Sequence, residues 1–507
     1  MLAGMKTAWA WLSGFLISVC LVSAMSAQQK AASNNASEAK INGVWLGTLH
    51  AGPQSLRIQV HLQVGVQGAQ MCSLDSIDQK AFGIPCNNVQ VKGDAVSLDV
   101  PAVMGKWSGT LSADGKTLTG TWTQGTPLPL VLVKQATAIE PTAAPPEPAM
   151  PPVSLDDLKA VLDHDLAGAL KDGDLAPSTN AGVTIGVVSH GKRLIFSYGA
   201  AKPDSVFEIG SVTKTFIALL LAQMVEQGKV QLDTPVRELL PAGTVEKPKS
   251  GAEITLLDLS DQHSGLPRLP DNLKPADMKN PYADYDAKKL YAFMSQHGVA
   301  LPPNAPFLYS NLGVGLLGQA LANRAGMSYA DLLRQEVTGP LGMHDTGIAL
   351  TPEMRTRLIA GHDGQHRPAQ PWDLDALAGA GGIRSTAADM LTYLEAQLHP
   401  DALPKDALKT PQGKTLPAAI AMCHVVHAEA MPGMHIALNW LRNDGTGSFW
   451  HNGATGGYSS YAMFNPQKDF ALIVLSNTSI NSDDFTDKLG AHIAQRLEGR
   501  PAVSLNP

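Results

Sequence analysis

A chain of 507 residues, 44% hydrophobic and 16% charged, is too long for one hydrophobic core and points to at least two domains. Its formal net charge of −7 gives no electrostatic reason to expect nucleic acid or an anionic membrane as a partner.

Residues 1–27 read as a secretory signal. Lys6 is their only charge, residues 8–22 are apolar, and Val22-Ser-Ala24 or Met25-Ser-Ala27 offers a cleavage site. The apolar run is short for a membrane span, and Val19 is a poor residue before a lipid-bearing Cys20. The expectation is a periplasmic or secreted protein with no transmembrane span in its mature form.

Residues 41–135 have the pattern of a small antiparallel β domain. Trp45–Leu49, Leu56–Val64 and Trp107–Leu111 alternate with period two, and Ser112–Lys116 reads as a turn into Leu118–Trp122. Short strands with repeated turn signals suggest a barrel or sandwich. The tryptophans are read as core rather than as a ligand floor. Cys72 and Cys86 flank a short segment in an exported domain and read as a disulfide, which leaves Cys423 unpaired. This region holds no catalytic constellation.

Residues 136–153 carry six prolines among alanine and threonine, the composition of a semi-extended linker. Residues 154–507 open with a helix capped by Ser154, with Asp157 in the capping-box position. Gly182–Val188 and Leu194–Tyr198 form a hairpin. Further strands end near Asn465 and Leu475, before a last helix around 483–497. Strands at both ends with helices between them fit an α/β domain, one antiparallel sheet flanked by helices plus a helical subdomain over the site.

Within this domain, Ser211-Val-Thr-Lys214 opens an apolar run that continues to Gln227 and stops at Gly228. A run apolar almost all round marks a buried helix, on which residues three apart share a face. Lysine buried beside a serine loses solvation, so its neutral form can take the hydroxyl proton. The spacing alone is weak, because a capping serine with a solvated lysine gives the same four residues. Two later segments supply context: Tyr309-Ser-Asn311 and His451-Asn-Gly453.

In this order the three segments resemble the signature of penicillin-binding proteins and β-lactamases. The stretch from about Ser154 to Gly499 resembles the class C β-lactamase superfamily, which includes serine DD-peptidases, D-amino-acid amidases and esterases. Leu256-Leu-Asp-Leu259, Ser264-Gly-Leu-Pro267 and Ala380-Gly-Gly-Ile-Arg-Ser-Thr386 are further family-like phrases. The resemblance implies a β-lactamase/transpeptidase-like fold and an acyl-enzyme on Ser211. It makes Lys214 and Tyr309 share the base role, with a cationic Lys214 favouring the Tyr309 phenolate. Asn311 would hold the substrate carbonyl or the Lys214 ammonium. The backbone N–H groups of Ser211 and Ala454 would form the oxyanion hole, and Gly453 would let substrate lie against its strand.

His451 and Asn452 depart from the Lys-Thr-Gly pattern. Lysine there is a permanent cation for a substrate carboxylate, whereas histidine is largely neutral at pH 7 and could serve only when protonated. The leading function is therefore an exported serine hydrolase opening a β-lactam or related amide. A DD-peptidase or D-amino-acid amidase, an esterase, and a penicillin-binding sensor that never turns over are the alternatives. The substrate is a small molecule: a β-lactam, a peptidoglycan-like amide or an ester.

The mechanism requires no cofactor. One separate cluster has zinc-binding chemistry: Cys423, His424 and His427 would share a face if that stretch were helical, and His362 and His366 bracket another polar segment. A buried cysteine beside two surface histidines is the competing reading.

Overall fold

In the computed structural model the apolar runs Gly182–Ser189 and Phe470–Ser476 pair antiparallel, from Val183 opposite Ser476 to Ser189 opposite Phe470. Both are apolar almost throughout because both faces of their sheet are covered. Val183, Ile185, Val187, Leu472 and Val474 face one core, while Ile473 and Leu475 face the other, as a period of two requires. The structure describes residues 40–505 except 52–53, 65–69, 80, 101–102, 104, 125, 140–145 and 481–483. The signal expected at 1–27 lies outside the described residues. The chain divides into two units, Met1–Ala143 and Ala144–Pro507.

In the second unit these strands belong to an eight-stranded sheet. Its spatial order is Lys192–Gly199, Gly182–Ser189, Phe470–Ser476, Ser459–Asn465, Phe449–Ala454, Leu441–Asn443, Met434–Ile436 and Ala428–Met431. Every neighbouring pair is antiparallel. Helices Leu155–Asp165 and Phe485–Glu498 cover one face through Leu158, Leu162, Leu489 and Ile493, all fully buried. Ser154 caps the first of them by accepting from Asp157 N. The other core gathers helices Thr213–Glu226, Asn311–Ala325, Ala387–Leu398 and Pro411–Cys423. An antiparallel sheet flanked by helices is thus the arrangement found, with the helix that follows Ser211 packed in the larger core.

The segment before Ser154 is fastened to this unit. Glu147 and Ala502 exchange both backbone hydrogen bonds, at 2.7 and 3.1 Å, and Val153 N donates to Arg496 O at 3.0 Å. Arg496 Nη1 donates to Pro148 O at 3.0 Å, while Arg496 Nε and His492 Nε2 reach the buried Asp165 carboxylate at 2.8 and 2.9 Å. Proline cannot donate, but the carbonyls of a proline-rich stretch still accept. The composition of 136–153 therefore reads as spacer although residues from Glu147 onward are held in place.

The first unit is a nine-stranded antiparallel sheet between Gly43 and Gln135, with Gly43–Ala51 paired to both Gln54–Val64 and Thr126–Gln135. Trp45, Trp107 and Trp122 are buried in its core. The Trp45 and Trp107 indoles donate to Ile41 O and Leu130 O, which satisfies their one polar atom inside that core. Cys72 and Cys86 are joined by a disulfide, and Cys423 is a free buried thiol. Among the described residues no helix is long and apolar enough to cross a membrane.

Candidate active site

Ser211 sits in a single tight turn, Gly210–Val212, that runs straight into helix Thr213–Glu226. Gly210 has φ +49°, and a Cβ there would lie 2.5 Å from Ala454 N. Across the contact, a Cβ on Gly453 would lie 2.2 Å from Ile209 O and 2.8 Å from Ser211 N. The two glycines let the nucleophile turn and strand Phe449–Ala454 touch backbone to backbone. Ser460 Oγ, on the neighbouring strand, donates to Ile209 O at 2.8 Å and fixes the same turn. Gly453 is thus required by packing against the nucleophile turn, which fills the space the sequence reading had assigned to substrate.

Lys214 is fully buried. Its Nζ lies 3.1 Å from Ser211 Oγ, 2.8 Å from Asn311 Oδ1 and 2.7 Å from Ala380 O. Burial, and then the positive charge of Arg268, hold its pKa well below the ordinary lysine value. A neutral amine carries two N–H groups and one lone pair. Two carbonyl oxygens can take the N–H groups, which leaves the lone pair for the Ser211 hydroxyl.

Asn311 opens helix Asn311–Ala325, whose first turn is capped by Ser310 Oγ accepting from Gly313 N at 2.8 Å. Its amide oxygen therefore serves Lys214. Tyr309 lies just before this helix, and its ring centroid stands 4.7 Å from Lys214 Nζ. Burial pushes the phenol up to about 12, against smaller downward pulls from the nearby Ser211 side chain and Arg268. Burial thus favours the protonated phenol of Tyr309 over the expected phenolate, and at Lys214, beside Ser211, it favours the neutral amine.

His451 is 3% exposed, and its Nδ1 donates to Asn452 O at 2.6 Å. Burial, with the neighbouring Lys214 charge, lowers its pKa to about 3. It is neutral at any ordinary pH, so the idea of a protonated His451 reading a carboxylate does not hold. Asn452 points the other way. Its Nδ2 donates to Asp487 Oδ2 at 2.6 Å, on helix Phe485–Glu498 behind the sheet. Successive strand side chains face opposite sides, so His451 and Asn452 cannot both face the cleft. Asn452 is removed from the substrate-binding set. Ala454 does line the cleft, with Ser211, Asn311 and Thr455.

The sequence reading missed the opposite wall, formed by Tyr282, Trp372, Leu374 and Leu377. Tyr282 and Trp372 meet edge to face with ring centroids 5.2 Å apart. Their only signal is aromatic character in loop sequence, which does not locate them. Ala380 fell inside a recognised phrase, but its role, a carbonyl for Lys214, is a backbone one.

The candidate zinc ligands do not converge. Helix Pro411–Cys423 ends at the thiol itself. His424 caps it and contacts Gln397 Oε1 through Nε2 at 2.9 Å, and His427 lies beyond, its N–H bonded to Ile436 O. His362 sits next to Asn477. Among the described residues no group of three or more His, Cys, Asp or Glu side chains could hold a metal ion.

Comparison with known proteins places this geometry. A family model described as Beta-lactamase matches residues 174–495. The D-alanyl-D-alanine-carboxypeptidase/endopeptidase AmpH of Escherichia coli (strain K12) is 28% identical over 330 residues, covering 62% of this chain and 84% of that protein. A Beta-lactamase of Pseudomonas fluorescens is 28% identical over 355 residues, covering 63% and 94%. The class C beta lactamase structure from Rhodobacter sphaeroides aligns with a TM-score of 0.53 at 23% identity, covering 68% of this chain and 98% of that one. The Beta-Lactamase/D-Alanine Carboxypeptidase structure from Pseudomonas syringae gives 0.55 at 18% identity, covering 67% and 98%. At such identities the structural likeness speaks for the fold, and the family match speaks for a serine hydrolase of the beta-lactamase and DD-peptidase type. The chain belongs to the beta-lactamase family.

Proposed function

We propose that this chain is an exported serine hydrolase that opens a β-lactam or a related amide through an acyl-Ser211 intermediate. The observation that carries the reading is the buried Lys214 amine, with no carboxylate among its hydrogen-bond partners, 3.1 Å from Ser211 Oγ. Lys214 takes the Ser211 proton as Oγ attacks the carbonyl carbon. The backbone N–H groups of Ser211 and Ala454, brought together by Gly210 and Gly453, receive the charge on the carbonyl oxygen. The C–N bond breaks, and the leaving nitrogen takes the former Ser211 proton from Lys214 by way of the Tyr309 hydroxyl. Water then attacks the ester carbonyl, gives a proton to the same pair of groups, and frees Ser211 and the acid.

The carboxypeptidase relative favours a second reading, hydrolysis of a D-alanyl-D-alanine amide by the same steps. Export to the periplasm or beyond is supported by residues 1–27, and both substrates are met there. Turnover on a β-lactam panel, D-Ala-D-Ala peptides and p-nitrophenyl esters separates the readings. The proposal expects amide or β-lactam turnover that Ser211→Ala abolishes. Turnover of esters alone would make the chain an esterase, and acylation without release would make it a sensor.

A further inference from the structure

Tyr309, which passes the proton to the leaving group in the acyl-Ser211 reading, belongs to no helix or strand. It ends the segment Pro302-Pro-Asn-Ala-Pro-Phe-Leu-Tyr309, just before the residue that caps helix Asn311–Ala325. The prolines of this segment have no N–H to donate, so it cannot pair along its length with a neighbouring strand. The Tyr309 ring centroid has Lys214 Nζ at 4.7 Å and the Arg268 guanidinium carbon at 5.2 Å. These contacts place the ring; the main chain that carries it has to be fixed by other groups.

Gln262 fixes it from both sides. Its main-chain carbonyl accepts from Leu308 N at 2.8 Å, and its side-chain Oε1 accepts from Ser310 N at 2.7 Å. Leu308 and Ser310 are the chain neighbours of Tyr309. A backbone N–H can only donate, so the Ser310 bond decides which end of the Gln262 amide is oxygen. The other end, Nε2, donates to Asn439 Oδ1 at 3.0 Å. Asn439 in turn donates from Nδ2 to Ser260 Oγ at 3.1 Å and from its backbone N to Ser260 O at 3.0 Å. Ser260, Gln262, Ser310 and Asn439 are all buried, so breaking any of these bonds strands a polar group away from water. Gln262 and Asn439 also hold left-handed backbone, with φ +67° and +55°. That conformation is unfavourable for a residue such as glutamine and persists only where its surroundings hold it.

We propose that Gln262 is a positioning residue for Tyr309: its bonds to the N–H groups of Leu308 and Ser310 hold the phenol where it can pass a proton from Lys214 to the leaving atom. The inference rests on the acyl-Ser211 reading, in which that transfer is the Tyr309 step. Gln262 acts through the tyrosine main chain and touches no reacting atom. A displacement of about 1 Å in a catalytic group can cost ~10²-fold in rate. The cost falls on reactions that need the proton. An amide nitrogen must be protonated to leave, whereas p-nitrophenolate departs as a stable anion. Gln262 therefore matters for amides and poor leaving groups far more than for activated esters.

The test uses the full chain, p-nitrophenyl acetate, and an amide: benzylpenicillin or a D-alanyl-D-alanine peptide, according to which the wild type opens. Methionine has the length of glutamine and is no more strained at φ +67°, but it offers Ser310 N no amide oxygen. Gln262→Met should slow acylation by the amide about tenfold or more and by the ester less than about threefold. In a Tyr309→Phe background the same substitution should slow neither further, because the group it positions is gone. Gln262→Gly relieves the left-handed strain while deleting the amide; it should show the same selective loss, and it stands in if the methionine variant does not fold. Equal losses for both substrates, no loss for either, or an amide loss that persists on Tyr309→Phe overturns the assignment. If Ser211→Ala reacts as fast as the wild type, or the wild type opens neither amide, the acyl-Ser211 reading falls and the inference with it, results visible without any Gln262 variant.

Discussion

Asn452 and Asp487 are hydrogen-bonded at 2.6 Å across the back of the strand whose other face meets Ser211. The bond couples the cleft to helix Phe485–Glu498, and its price is a carboxylate held out of water. Burial outweighs the Asn452 hydrogen bond and raises the Asp487 pKa to about 6. An acid raised in the folded state from an unfolded value of about 3.9 favours folding below that unfolded value, and the benefit is lost as pH rises through the folded value. Asp487→Asn keeps an oxygen for Asn452 and removes the ionisation. It should stabilise the protein at pH 7.5 by on the order of 1–2 kcal/mol, discounted for partial exposure, with no gain at about pH 4. Thermal unfolding at the two pH values checks this; a gain of equal size at both would mean that ionisation of Asp487 is not the cause.

The pH dependence of acylation should belong to Lys214. Its amine must be neutral to act, so kcat/KM for an uncharged ester should fall as pH drops through the lowered Lys214 pKa. Tyr309, raised to about 12, keeps its proton and imposes no loss at moderately alkaline pH. His451, lowered to about 3, gives no limb between about pH 5.5 and 8, the window where histidine ordinarily titrates. KM for an anionic β-lactam should therefore be flat across that window. His451→Gln should leave the acid limb of the profile in place, and a limb that moves with this substitution would return the titrating role to the imidazole.

The fragment Ala144–Pro507 should fold and turn over by itself. A fragment starting at Ser154 loses the Glu147–Ala502 backbone pair, the Arg496 bond to Pro148 O and the Val153 bond to Arg496 O. These losses should cost on the order of 2–4 kcal/mol together. Calorimetry on the two fragments reads the difference directly. Equal melting temperatures would show that the docked segment adds nothing, and a folded but inactive Ala144–Pro507 would show that catalysis needs the first unit.

Much of the site was legible because its chemistry is local or periodic. Ser211 and Lys214 are three residues apart across a turn and the helix it opens, and Tyr309 and Asn311 are fixed by one helix start. The alternation of a strand also predicts that His451 and Asn452 part company, a consequence that motif matching alone overlooks. The remainder depends on tertiary burial. The Tyr309 phenol keeps its proton, and His451 has no access to a charged form, because the surrounding core strips them of water. Cys423, His424 and His427 have helical spacing, but the helix ends at the first of them. Arg268 is a surface arginine in sequence, and its place beside Tyr309 comes from the fold.

The most direct test is intact-mass analysis of the protein after exposure to a penicillin, on the wild type and on Ser211→Ala and Lys214→Arg. The account predicts a covalent adduct of the full penicillin mass on the wild type, mapped to Ser211 by peptide digestion. It predicts none on Ser211→Ala. Formation on Lys214→Arg should be slower by ~10²-fold or more, because a guanidinium keeps its proton and cannot serve as the base. An adduct that forms on Ser211→Ala at the wild-type rate would contradict the account.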